Sequence, residues 1–142
     1  MSKVLTCDVC VVGAGSAGLT VAASAAMLGA RTILFERGEM GGDCLNYGCV
    51  PSKSLLAAAH AAQNIRQAAR FGIDCSDVRI DFSAVVAHVR QVIAAIAPHD
   101  SVERFESLGV RVIKAAAGFS GPGEIEGGGV RVRAKRIVIA TG

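Results

Sequence analysis

The sequence predicts an α/β fold in which a parallel sheet is flanked by helices, with a small antiparallel β-meander at its side. Short apolar runs alternate with longer Ala-rich segments whose apolar residues recur at helical spacing. The chain has 17 glycines and only 4% aromatic residues, a mix that suits tight strand-to-helix turns better than an all-β sandwich. Late in the chain, two stretches of alternating apolar and charged residues flank Gly127-Gly128-Gly129, the pattern of a hairpin. At 142 residues the chain is long enough for one domain with a fair core.

Val4 to Val12 is an apolar run broken only by Thr6 and Asp8, which predicts a buried parallel strand with Cys7 and Cys10 as core filler. The turn Gly13-Ala14-Gly15-Ser16-Ala17-Gly18 opens a helix running to about Leu28. Gly29-Ala30 ends it, and Arg31 to Phe35 is a second strand that closes at Glu36. This is a dinucleotide-binding arrangement with a physical role for each position. Gly13 makes the bend, Gly15 lets backbone approach a pyrophosphate, and Gly18 lets helix pack closely on strand. The pyrophosphate sits on the helix N-terminus, and Glu36 accepts from ribose hydroxyls. The turn does not separate FAD from NAD, and a glycine-rich loop without ligand is the bland alternative.

Next comes Gly41-Gly42-Asp43-Cys44-Leu45-Asn46-Tyr47-Gly48-Cys49-Val50-Pro51-Ser52-Lys53. Residues five apart on a helix rise about 7.5 Å and diverge by about 140°. A disulfide needs Cα atoms roughly 4.4–6.8 Å apart. Cys44 and Cys49 therefore cannot bond from one regular helix, and the spacing predicts a distorted loop or turn that becomes helix at about Cys49. Gly48 is expected to take a backbone angle closed to other residues, and Pro51 suits a first helical turn. A cysteine at a helix N-terminus would be a reactive thiolate. Two unrelated buried cysteines or half a zinc site remain alternatives, although Cys7, Cys10 and Cys75 do not supply a convincing second metal pair.

Ser52 to Arg70 reads as a long helix with Leu55, Leu56, Ala59, Ala62, Ile65 and Ala69 on its packing face. Ile73 to Ile80 is irregular. A second helix from about Asp81 carries Phe82, Val85, Val86, Val89, Val92, Ile93 and Ile96, Pro98 breaks it, and Val102 to Leu108 continues as helix. His60, His88 and His99 read as surface or cap residues. Val110 to Ile113 is a third core strand, Phe119 leads into a turn at Pro122-Gly123, and Glu124 to Arg133 is the hairpin. Arg136 to Ala140 is a fourth core strand before Thr141-Gly142.

A net charge of +3, scattered along the chain, gives no reason to expect a nucleic-acid partner. No apolar run is long enough for a membrane span. No signal-peptide layout is present, and the odd cysteine count points to a reducing compartment, so the expected location is cytoplasmic.

The motifs taken together resemble the class I pyridine nucleotide-disulfide oxidoreductases, which include dihydrolipoamide dehydrogenase, mercuric reductase and glutathione reductase. Those motifs are Gly13-x-Gly15-x-x-Gly18, Glu36, Gly41-Gly42-x-Cys44-x-Asn46-x-Gly48-Cys49-x-Pro51-Ser52-Lys53 and Ala140-Thr141-Gly142. The resemblance covers the whole chain in order, and Pro51-Ser52-Lys53 is similar to the lipoamide and mercuric branch. It implies a Rossmann-like FAD-binding domain and an NAD(P)H:disulfide oxidoreductase in which electrons pass from NAD(P)H through FAD to a Cys44-Cys49 disulfide. From there they pass to a small disulfide, a lipoamide-like molecule or a metal ion.

By motif position, the resemblance makes Cys49 the flavin-facing thiolate, Cys44 the outer thiol, and Lys53 a cation near the flavin. Gly13, Gly15, Ser16, Ala17, Gly18 and Glu36, with Arg37, would hold the ADP half. Gly38, Gly42, Asp43 and Cys44 would line the flavin, Ala117 would meet the adenine end, and Ala140, Thr141 and Gly142 would pack near the cofactor. Asp43 stands where the family usually has threonine, and Tyr47 where it has a small aliphatic. The resemblance also implies a homodimer, with NAD(P) and dimerisation domains that are not in residues 1–142. Those residues are thus expected to be an incomplete FAD-binding segment, inactive alone. A non-enzymatic nucleotide-binding fragment and a plain NAD(P)-binding domain are the competing readings.

Overall fold

The computed structural model describes residues 3–75 and 77–142. Its strands are β1 (Lys3–Val12), β2 (Thr32–Phe35), β3 (Val110–Ile113), β4 (Ala117–Gly121), β5 (Glu124–Gly127) and β6 (Val130–Ile139). They form one six-stranded sheet in the order β3-β2-β1-β6-β5-β4. Pairing is parallel from β3 through β2 and β1 to β6, and antiparallel from β6 through β5 to β4. The expected meander is therefore the far half of the same sheet.

The helices are α1 (Ser16–Met27), α2 (Gly42–Asn46), α3 (Cys49–Arg66), α4 (Phe82–Ile96) and α5 (Val102–Ser107). Helix α1 ends through Leu28 and the left-handed Gly29. Asp81 caps α4 by accepting from the Ser83 and Ala84 N–H groups, and the Ser101 hydroxyl oxygen caps α5 by accepting from Arg104 N–H. No helix among the described residues is long and apolar enough to cross a membrane.

Strand β2 is buried along its whole length, as a central parallel strand should be. Its alternation divides the core. Leu34 packs with Val11, Leu19, Ala22, Phe105 and Val110 on the face covered by α1 and α5. Ile33 and Phe35 pack with Cys7, Cys10, Ile125 and Val132 on the other face. Cys7 and Cys10 are core filler, as expected, but residues three apart on a regular strand would face opposite ways. Successive N–H groups of Asp8 and Val9 both donate to the Arg31 carbonyl, at 2.9 and 3.2 Å, which marks a bulge that turns them to one side. Asp8 anchors the bulge through Arg31 (3.3 Å) and Lys135 (2.8 Å).

Three expectations are corrected. Strand β6 is continuous where two separate strands were expected, because β1 pairs with it along its length while β5 leaves it at Arg133. The change of partner interrupts the apolar pattern near Ala134 and Lys135 without interrupting the strand. Ala117–Gly121 is a strand rather than the approach to a turn, held by pairing with β5. Helix α3 starts at Cys49 and turns a different face inward. Val50, Ser54, Ala58 and Ala62 pack, whereas Leu55, Leu56 and Ile65 are exposed. The reason is that α3 packs on α4 rather than on the sheet, and a row of small residues four apart lets the two helices approach.

Candidate dinucleotide and dithiol site

The site lies where β1, β2 and β6 end. Gly13 N–H donates to the Phe35 carbonyl and Ala140 N–H to the Val12 carbonyl, each at 2.8 Å, so the turn is pinned from both sides. A Cβ on Gly13 would overlap the Ala140 carbonyl, and one on Gly18 would overlap the Gly13 carbonyl. A Cβ on Gly15 would meet nothing within 4 Å. It would point into open space beside a cavity of about 470 Å³ lined by Gly13, Gly15, Ser16 and Ala17. Gly15 is also the N-cap of α1, with no side-chain cap and no acid in the first turn, so the helix presents its free N–H groups and positive end here.

Glu36 ties the loops together. Its Oε2 accepts from Ala14 N–H and its Oε1 from Gly38 N–H, both at 2.6 Å. A carboxylate has about four lone-pair positions, so each oxygen can accept once more, which suits a cis-diol. The Glu36 N–H donates to the Ile113 carbonyl at 3.0 Å, and Lys114 Nζ donates to the Gly38 carbonyl. A second cavity of about 340 Å³ lies between these loops, lined by Val12, Glu36, Arg37 and Ala115 to Ala117. Gly13, Glu36, Arg37, Thr141 and Gly142 line both cavities, so the two form one elongated groove.

The cysteine segment is fastened onto this turn. Gly41 and Gly42 form a left-handed corner (φ +87° and +56°) that glycine alone adopts readily. Gly41 N–H donates to the Ala14 carbonyl at 2.9 Å, and a Cβ on Gly42 would lie 2.7 Å from the Gly15 Cα. Asn46 Nδ2 staples the corner by donating to the carbonyls of Met40 (3.0 Å) and Gly42 (2.9 Å). Cys44 thus lies on α2, a single helical turn, and Cys49 is the first residue of α3 after a break at Tyr47-Gly48. The break is as expected, with Pro51 in the first turn of α3. Gly48 has φ −118°, so its requirement is close approach instead: a Cβ would lie 3.0 Å from the Asp43 carbonyl oxygen.

Both cysteines are free thiols. The hydrogen-bonding sulfur of Cys49 pushes the Cys44 thiol pKa above its ordinary value, desolvation adds to this, and Lys53 pulls weakly the other way. Cys44 is partly buried on the wall of the larger cavity. Cys49 and Lys53 are exposed on the first turns of α3 and are not on that wall.

The structure brings Gly13, Gly15, Ser16, Ala17, Glu36, Arg37, Gly38, Gly42, Asp43, Cys44, Ala140, Thr141 and Gly142 to one cavity, and Ala117 to the adjoining one. Gly18 packs behind the turn instead. Sequence reasoning gave no role to Glu39, Asn46 or Lys114. Asn46 could have been found from its place four residues after the double-glycine corner. Lys114 offered no signal, because its partner is 76 residues away in the chain.

The pyridine nucleotide-disulphide oxidoreductase family matches residues 7–142. The chain belongs to that family. Among curated relatives it is 36% identical to the leghemoglobin reductase of Vigna unguiculata over 95% of this chain and 27% of the relative. It is 36% identical to the mitochondrial dihydrolipoyl dehydrogenase of Pisum sativum, over 95% of this chain and 28% of the relative. The mercuric reductase of Streptomyces lividans is 32% identical over 95% of this chain and 30% of its own length. This member of the pyridine nucleotide-disulphide oxidoreductases thus spans about 27–30% of the length of these relatives.

Proposed function

We propose that this chain is the FAD-holding, dithiol-bearing segment of an NAD(P)H-dependent disulfide oxidoreductase. The observation that carries the reading is the attachment of the cysteine corner to the dinucleotide turn. The Gly41 N–H bond to Ala14 and the Gly42 contact on Gly15 hold the two-cysteine segment beside a groove suited to a dinucleotide, with Cys44 on its wall. Open space at Gly15 and the free N–H groups of α1 fit an anionic pyrophosphate. Bound FAD would supply two-electron transfer between a nicotinamide and the Cys44-Cys49 disulfide.

The residues divide the remaining work. Gly13, Gly15, Ser16 and Ala17 offer backbone to the pyrophosphate. Glu36 takes ribose hydroxyls, with Arg37 and Ala117 around the adenosine end. Gly42, Cys44 and Lys53 serve the flavin side, where Asp43 also lies, and Ala140, Thr141 and Gly142 close the floor. Cys49 is the flavin-facing sulfur and Cys44 the outer one. Once deprotonated, Cys44 attacks a substrate disulfide: a Cys44–substrate S–S bond forms, and the other substrate sulfur leaves as thiolate. Cys49 then attacks Cys44, re-forming the internal disulfide and releasing the second substrate sulfur as thiolate. The substrate is a small disulfide, a lipoamide-like molecule or a thiophilic metal ion, and the full-length protein works as a homodimer.

A visible spectrum of the full-length protein tests this. It should be yellow, and two-electron reduction should produce a long-wavelength absorption that persists in Cys44→Ser and disappears in Cys49→Ser. A full-length protein that binds no FAD would sink the proposal.

A further inference from the structure

The walls of the larger cavity carry the carboxylates of Glu36, Glu39 and Asp43 against one guanidinium, Arg37. Two of the three acids are engaged. Glu36 accepts from the Ala14 and Gly38 N–H groups, and Glu39 Oε2 accepts from the Tyr47 hydroxyl at 3.4 Å. Asp43 is different: among the described residues no side-chain hydrogen bond or ion pair reaches its carboxylate, and it is exposed on the cavity wall. Its backbone position is fixed, because the preceding residue, Gly42, rests on Gly15, the glycine whose missing side chain opens the pyrophosphate seat. A dianionic pyrophosphate at the N-terminus of α1 would therefore share this cavity with a carboxylate that no described hydrogen bond or ion pair engages.

We infer that Asp43 is an affinity-determining residue of the dinucleotide groove, an opposing charge that weakens cofactor binding. The inference rests on the reading that this groove holds a dinucleotide. It assigns Asp43 a repulsive role, distinct from the attractive contacts of Gly15, Ser16 and Glu36. Since no hydrogen bond or ion pair among the described residues reaches its carboxylate, removing the charge should leave the fold intact while changing the ligand equilibrium.

The experiment is a titration of the cofactor-free full-length protein with FAD, followed by flavin fluorescence polarisation, in the parent and in Asp43→Asn, Asp43→Thr and Asp43→Glu. At roughly 0.01 M ionic strength, Asp43→Asn and Asp43→Thr should bind FAD about 5- to 30-fold more tightly than the parent, the range for one like charge at a partly solvated site. Asp43→Glu should bind like the parent. The advantage of Asp43→Asn should shrink several-fold at roughly 1 M salt, where the Debye length is about 3 Å. Equal or weaker binding by both neutral variants at low salt, with unchanged circular-dichroism melting, would overturn the inference. If the parent and all variants fail to bind FAD, it is the dinucleotide reading of the groove that fails.

Discussion

Cys44 and Cys49 are five residues apart yet occupy different surroundings: one on a cavity wall in the middle of a single helical turn, the other exposed where a long helix begins. Their coupling is what separates them chemically. Because the Cys49 sulfur raises the Cys44 pKa, Cys49→Ser should move the pH midpoint of Cys44 alkylation down toward that of an ordinary thiol. Peptide mass spectrometry of iodoacetamide-treated protein reads this site by site and keeps the exposed Cys75 apart. An unchanged Cys44 profile in the serine variant would mean that the two sulfurs do not interact. Much of this was legible beforehand, since five-residue spacing excludes one regular helix. What spacing could not supply was the corner itself, whose left-handed residues are Gly41 and Gly42 rather than Gly48.

At the scale of the element, β1 shows how one polar residue shapes a buried strand. Asp8 interrupts an apolar run, and the bulge at Asp8-Val9 uses that residue to reach Arg31 on one side and Lys135 on the other. The Lys135 ammonium, the Arg31 N–H and the Arg31 guanidinium hold the Asp8 carboxyl well below the usual carboxylate range. A depressed folded-state pKa stabilises the fold above the unfolded value of about 3.9, and that contribution is lost as pH falls through the folded value. Asp8→Asn should therefore lower the melting temperature at pH 7, and its deficit should close as pH drops below about 4. A deficit of constant size across that range would show that the ion pairs contribute nothing. Helix α3 teaches a related lesson. Its apolar residues mark two possible stripes, and only the presence of α4 selects the one with Ser54 and Ala58.

Across the whole molecule, the antiparallel end of the sheet and the parallel end share one core. Ile125 is 1% exposed and packs in the same cluster as Ile33 and Phe35, so the meander is not an appendage. Ile125→Ala should cost about 2–5 kcal/mol and shift a single cooperative unfolding transition. Far-ultraviolet circular dichroism in denaturant would check it, and a separate early transition for the meander would contradict the shared core. The sequence by itself determined the α/β class, the Gly13–Gly18 turn with Glu36 beyond it, the helix start near Cys49 and the family, because these depend on spacing over one or two elements. Only the tertiary structure decided that Glu36 would clasp the Ala14 N–H, that Lys114 would reach Gly38, that β6 would run unbroken and that Gly42 would rest on Gly15. Each of these joins residues brought together by sheet register and helix packing, and neither can be read from a local pattern.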